Sequence, residues 1–362
     1  MNRKKNIVGN ALLVISSTLF CLLAAEAIIR VIDPAPKMLQ NLDLDQYILS
    51  KNPILKYEYI PGAYIKSFKS TVNSMGFRDY EFPQEKPPRT IRIIVLGDSI
   101  TAGMYITDTN KTYPKLLEKL LNEVSSGYSY EVFNMGVGGY DTLQEVETLR
   151  TKGLRYNPDI VIIGFCLNDF WPSTDGGLYK RLVENLNEEE LATFKRMYKT
   201  PWRALLNRSR LLFFLYHRIA AMRPDASKKQ FAWEHDYTLH DQAPPWEGPV
   251  WTGLTLLHKL QKKHAFKSYL FVFPVINEEW SSYQEKHNVL HRAVLATAIQ
   301  CHPELQVIDL WNDFASLSSR GNKFAGAKGI DPVHFNELGH QAAAELMAKK
   351  IKSDLESIEK DR

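Results

Sequence analysis

From Ile91 onward the chain alternates between short runs rich in β-branched residues and longer stretches whose apolar residues recur three and four apart. "IRIIVL", "YEVFNM", "DIVIIGF", "KSYLFVFPV" and "LQVIDL" read as five strands. Between them lie helical patterns. "TYPKLLEKLLNEV" sets Leu116, Leu117, Leu120, Leu121 and Val124 on one face, and "DTLQEVETLRTKGL" predicts a helix closed before Pro158. "SYQEKHNVLHRAVLATAIQ" and "NELGHQAAAELMAKKI" predict two more helices, after which the charged tail beyond Lys352 reads as poorly ordered. Apolar strands separated by helices imply an α/β fold, a parallel sheet with helices on both faces. The alternation stops between Phe170 and about Val250, so this stretch reads as an insertion of helices and loops leaving the sheet after the third strand.

The N-terminus follows a different pattern. Arg3, Lys4 and Lys5 precede a run without charge from Asn6 through Ala25. As a helix this run would span about 30 Å, the thickness of a bilayer core. The basic cluster before it orients the tail toward the cytoplasm and the rest of the chain outside. A cleaved signal peptide is the alternative, although Ala25-Glu26-Ala27 is a poor cleavage site and the run exceeds the usual apolar region. From Asp33 to Arg89 the sequence is irregular and broken by prolines, which reads as short strands and loops. The expected organisation is a tail and membrane anchor at 1–30, a juxtamembrane segment at 31–89 and a catalytic domain at 90–357, with the insertion at 171–250.

Composition narrows the functional classes. The chain has 362 residues, 44% of them apolar, enough to bury a sizeable core. The net charge is +4, and no basic stripe interleaves with aromatics, so no nucleic acid is expected as partner. The three cysteines, Cys21, Cys166 and Cys301, lack CxxC spacing and indicate neither a zinc knuckle nor a disulfide framework. Cys166 and Cys301 read as small core residues, a bridge between them being the alternative. "HNVLH" sets His287 and His291 on one helical face, but the glutamate of an HExxH zinc site is missing and no third ligand stands out.

In a parallel sheet of this kind, chemistry collects at the carboxyl ends of the strands, where the loops converge. The candidate residues follow strands. Ser99 stands in Gly97-Asp98-Ser99-Ile100-Thr101 after the first strand, as a nucleophile or as a helix cap. Asn134 opens a loop with Gly136, Gly138 and Gly139 after the second. That loop misses the third small residue of a dinucleotide fingerprint, where Asp141 stands, and fits an oxyanion site or a plain turn. Asn168 follows the third strand, where its amide is able to donate to a developing oxyanion or to shape a turn. Asp331 and His334 follow the fifth strand, three residues apart, so that one loop presents a carboxylate beside an imidazole. Asn336 is a candidate cap for the last helix, and His340, further along it, reads as packing.

These blocks, "GDSIT", the glycine loop from Asn134, "LND" and "DPVH", resemble those of the SGNH/GDSL hydrolases and occur in the same order. The resemblance spans about residues 90–355. It implies a three-layer, flavodoxin-like fold with a five-stranded parallel sheet. It also implies a Ser-His-Asp triad of Ser99, His334 and Asp331, and an oxyanion hole of the Ser99 N–H, the Gly139 N–H and the Asn168 amide. Gly138 is the alternative for the middle donor. "NSMGFRDYEFP" is similar to the lead-in of membrane-anchored extracytoplasmic members, and no catalytic role attaches to its Asn73 or Arg78. The rival α/β-hydrolase fold would place a second glycine where Thr101 stands. No metal or organic cofactor is expected.

The implied activity is that of an extracytoplasmic serine esterase acting on an acylated small molecule, glycan or lipid, with an envelope glycan as the leading class. An O-acyltransferase with the same triad and a catalytically silent assembly scaffold are the alternatives. Five of the seven tryptophans fall between Trp171 and Trp251, so the insertion reads either as a lid with flat apolar faces for substrate or as a small core of its own.

Overall fold

The computed structural model describes residues 46–124, 127–166, 169, 248–274, 280–320, 324 and 333–360, together with 13, 16–18 and 21–25. For 124, 280–290 and 360 it describes the backbone only. The chain divides into two compact units, and the one joining Met1–Leu42 to Val183–His235 lies almost wholly outside the described residues. The fold and site set out below belong to the other unit, Asp43–Leu182 with Asp236–Arg362. Among the described residues no helix is long and apolar enough to cross a membrane, and most of the uncharged run from Asn6 to Ala25 lies outside them. The insertion expected at 171–250 also lies outside, apart from its last three residues.

Two short antiparallel hairpins open the described unit. β1 (Tyr47–Leu49) pairs with β2 (Tyr57–Tyr59), and β3 (Tyr64–Ile65) pairs with β4 (Ser70–Thr71). The main sheet follows, with β5 (Thr90–Gly97), β6 (Ser129–Asn134), β7 (Ile160–Phe165), β8 (Lys267–Val272) and β9 (Gln306–Asp309). Its order is β6-β5-β7-β8-β9 and every pairing is parallel. Counted from β5, this is the 2-1-3-4-5 order of flavodoxin-like sheets.

The helices are α1 (Ser99–Ala102), α2 (Tyr113–Val124), α3 (Thr142–Thr148), α4 (Pro249–His264), α5 (Trp280–Cys301), α6 (Trp311–Ser319) and α7 (Glu337–Lys360). Every residue of β5 and β7 is buried, as strands covered on both faces must be. Successive side chains leave a strand on opposite faces. Ile91, Ile93 and Val95 join one cluster with Leu117 and Leu121 of α2 and Ala343, Met347 and Ile351 of α7. Ile94 and Leu96 bury on the other face, as do Val146 of α3 and Leu254 and Leu257 of α4.

Two expectations need correction. The tail after Lys352 is helical to Lys360, because Ile351 and Leu355 continue the buried stripe and Tyr128 Oη donates to the Glu359 carbonyl at 2.9 Å. The strand β8 is preceded by α4, whose buried Val250, Leu254, Leu257 and Leu260 pack this helix beside α3. The helical reading of 141–154 resolves into α3, a π turn at Leu149–Gly153 and a 3-10 turn at Leu154–Tyr156. Asn157 then turns left-handed, with φ 56°, just before Pro158. All three cysteines are free thiols, and Cys166 and Cys301 are buried.

Candidate active site

The turn after β5 shows how Ser99 is presented. Gly97 closes it: a Cβ there would stand 1.9 Å from Thr101 Oγ1 and 3.2 Å from the Gly164 carbonyl. Only glycine lets the strand end so tightly against α1 and β7. The helix cap is Asp98, not Ser99. Asp98 Oδ1 accepts the Ile100 N–H at 2.9 Å. The Ser99 hydroxyl is therefore not needed as the cap, and it lies 2.8 Å from His334 Nε2. Its other neighbour is Asp98 Oδ2, at 3.3 Å.

His334 reaches Ser99 from the far end of the chain because α7 begins just after it. Asn336 caps that helix by accepting the Gly339 N–H at 3.0 Å. The Tyr105 ring meets the His334 imidazole edge-on, with centroids 5.4 Å apart. His340 is fully buried, accepts the Tyr113 N–H at 3.0 Å and stacks on the Tyr113 ring, which is packing. Burial, then the nearby Arg78 and His334, lower its pKa to about 3.

The glycine loop after β6 lies beside the same turn. Val137 N–H donates to the Gly97 carbonyl at 3.0 Å, and the Tyr140 N–H returns to the Val137 carbonyl at 3.2 Å. The resulting four-residue turn has Gly139 at φ 78°, the value that a type II turn requires of its third residue. Gly138 is buried and directs its N–H toward Tyr59 Oη at 3.4 Å. Gly139 is exposed, and its N–H has no hydrogen-bond partner among the described residues. The arrangement favours Gly139 over Gly138 as an open donor. Asn134 holds the loop from below, donating to the Thr101 carbonyl at 2.9 Å and accepting the Gly136 N–H at 3.0 Å.

Beneath Ser99 lies a set of buried acids. The Cys166 thiol donates to Asp98 Oδ2 at 3.2 Å, and the Cys166 N–H donates to Asp169 Oδ2 at 3.0 Å. Asp98, Cys166 and Asp169 place three possible metal-ligand atoms within 4.8 Å of one another. These hydrogen bonds already engage the Asp98 oxygen and the thiol. Asp169 and Glu145 are both buried, and burial followed by neighbouring acid charge raises their pKa values well above the usual carboxylate range. Their neutral forms are favoured there.

Sequence reasoning left the contribution of the segment before β5 without a role. Arg78 is fully buried and donates to the carbonyls of Ala102 at 3.1 Å, Gly103 at 2.5 Å and Ile106. It thereby fixes the loop from Ser99 to Tyr105. Burial lowers its pKa to about 10, which leaves it a cation near neutrality. Asp79 accepts the Asn134 N–H at 2.8 Å and pairs with Lys115 at 3.2 Å. The available signal was an Arg-Asp pair inside an aromatic stretch, a placement that requires partners. Asn168 and Asp331 lie outside the described residues.

Comparison with known proteins agrees with this architecture. The sequence model of the GDSL-like lipase/acylhydrolase family matches residues 95–342, more than half of the chain. A search of curated proteins finds no match. Among solved structures, the lipase/acylhydrolase from Enterococcus faecalis is 18% identical, covering 73% of this chain and 96% of its own, with a TM-score of 0.39. The acetyl xylan esterase AlAXEase is 18% identical, covering 72% of this chain and 100% of its own, with a TM-score of 0.39. A catalytic mutant of an acetylxylan esterase from Geobacillus stearothermophilus is 15% identical, covering 72% and 94%, with a TM-score of 0.41. With its parallel sheet, its serine at the end of β5 and this family match, the chain belongs to the GDSL-like lipase/acylhydrolase family and is a hydrolase of ester bonds.

Proposed function

We propose that this chain is an extracytoplasmic serine esterase, held at the membrane by its N-terminal apolar run, that works through an acyl-enzyme on Ser99. The observation that carries this reading is the 2.8 Å contact between Ser99 Oγ and His334 Nε2 across the carboxyl edge of the sheet. Ser99 Oγ attacks the ester carbonyl carbon while His334 takes its proton. The oxyanion forms against the N–H groups of Ser99 and Gly139 and the Asn168 amide. Collapse expels the alcohol with the proton from His334. Water then attacks the acyl-enzyme with His334 as base, and Asp331 orients the imidazole. The favoured substrate is an acyl or acetyl ester of an envelope glycan or lipid, since an anchor of this orientation sets the site among such molecules.

The test is labelling and turnover of the full chain against Ser99→Ala. A fluorophosphonate should label the wild type only, and short-chain aryl esters or acetylated glycans should be hydrolysed by the wild type only. Folded wild-type protein that neither labels nor turns over would leave the scaffold reading. Transfer of acyl groups to an added glycan acceptor, in place of release to water, would identify an O-acyltransferase.

A further inference from the structure

The four-residue turn Val137–Tyr140 belongs to a class of turn whose central peptide can take either of two orientations. In a type II turn the central peptide, here Gly138–Gly139, is rotated about half a turn from its orientation in type I. Because a trans peptide is planar, its C=O and its N–H point in opposite directions. Whatever holds the Gly138 carbonyl thus decides where the Gly139 N–H points. Flipping this peptide would exchange a donor for an acceptor at the face beside Ser99.

The group that holds it comes from β2, upstream of the family-matched region. Tyr57 Oη donates to the Gly138 carbonyl at 2.8 Å. Tyr57 is 2% exposed, so this hydroxyl is shielded from bulk solvent. Burial raises its pKa well above 10, so it remains a protonated donor. Its ring is wedged edge-on against Tyr47 and Tyr140, at centroid distances of 5.9 and 5.4 Å. The clamp is close-fitting: a Cβ on Gly139 would stand 2.8 Å from Tyr57 Oη.

We infer that Tyr57 is a positioning residue for ester hydrolysis, locking the Gly138–Gly139 peptide in the orientation that offers the Gly139 N–H to the oxyanion. This rests on the assignment of Ser99 as nucleophile and of Gly139 as donor. The bond to Tyr57 also polarises the peptide and strengthens that N–H as a donor.

The experiment compares full-length wild type, Tyr57→Phe, Tyr269→Phe and Ser99→Ala on p-nitrophenyl acetate, with kcat expressed per site titrated by a fluorophosphonate. Counting competent sites keeps partial misfolding from imitating the effect. Tyr269 is the control, since its ring is buried in β8 and its hydroxyl bonds the Asp354 carboxylate of α7, outside the glycine loop and the turn carrying Ser99. Tyr57→Phe should lower kcat about tenfold or more, against the ~10²–10³ expected for outright loss of a donor. Its KM should stay nearly unchanged, and phosphonate labelling should slow by the same factor. Tyr269→Phe should keep kcat near wild type although it too loses a tyrosine hydroxyl's hydrogen bond. Equal kcat values for the two phenylalanine variants, with Ser99→Ala inactive, would overturn the role of Tyr57 and leave the esterase reading intact. An active Ser99→Ala would overturn both.

Discussion

The thiol of Cys166 donates to Asp98 Oδ2 at 3.2 Å, directly behind the turn that presents Ser99. The same oxygen has the Ser99 hydroxyl at 3.3 Å, while His334 Nε2 holds that hydroxyl at 2.8 Å. The thiol therefore shares with the Ser99 hydroxyl an acceptor that competes with the imidazole for the serine proton. Cys166→Ala should cost about 1 kcal/mol, the usual net worth of one hydrogen bond, because Asp98 Oδ2 keeps the Ser99 hydroxyl as a donor. It should also lower kcat several-fold. Cys166→Ser keeps a donor and should recover most of the turnover. Urea denaturation and single-substrate kinetics on the two variants check this.

Arg78 supplies a second expectation. Its guanidinium serves three carbonyls with a planar fork that a lysine ammonium does not reproduce. Arg78→Met should destabilise the protein by about 3 kcal/mol or more, since several acceptors lose their donor at once. Arg78→Lys should fall between Arg78→Met and the wild type. In both variants phosphonate labelling should slow, because the loop carrying Ser99 and Tyr105 is no longer tied down. Urea midpoints and labelling rates measure the two effects separately.

For Asn168, the role proposed above makes a sharp expectation. Asn168→Ala should lower kcat by roughly 10²–10³ with little change in KM, as removal of an oxyanion donor does. An unchanged kcat on an activated aryl ester would take Asn168 out of the mechanism.

His340 sets a pH dependence of stability. Its imidazole is neutral in the fold, with a pKa lowered to about 3 by burial first and then by Arg78 and His334. In the unfolded chain the same group takes up a proton near pH 6.5. Below that pH the unfolded state binds more protons, so stability falls as the pH falls toward the folded value, by up to about 1.4 kcal/mol per pH unit. Above pH 6.5 the contribution is complete. His340→Asn retains an acceptor for the Tyr113 N–H but does not titrate. The melting temperature of the wild type should therefore drop more steeply than that of His340→Asn between pH 6.5 and 4.5. Parallel curves would show that the imidazole is not the group responsible.

Much of the sheet was legible because its strands are buried on both faces. Burial forces continuous β-branched runs, and "IRIIVL" and "DIVIIGF" are such runs. Ser99 and His334 were legible through the strand-end rule, and the structure brings them to hydrogen-bond distance. The segment before β5 was legible only as short strands and loops; the positions and pairing of β1–β2 and β3–β4 were not, since strands of two or three residues carry no period to read. The tyrosines at 57 and 59 therefore looked like ordinary aromatics, and their partner in the glycine loop is some eighty residues away. The end of α7 was missed for a different reason. Its last turns carry only Leu355 and Ile358 as apolar residues among charges, and their burial depends on neighbours that local charge density does not report.

The segment before β5 grips its neighbours by main-chain atoms. Arg78 binds carbonyls, Tyr57 binds a carbonyl and Asp79 binds an N–H. Asp79 also pairs with Lys115, but the grip of Arg78 and Tyr57 is indifferent to the side chains of the loops it holds. Met104, which sits between the carbonyls that Arg78 fixes, is consequently open to exchange without loosening the frame, whereas the Tyr105 ring also packs on the His334 imidazole. Scaffolding is in this way uncoupled from the side chain of Met104, the position where a substitution library should begin.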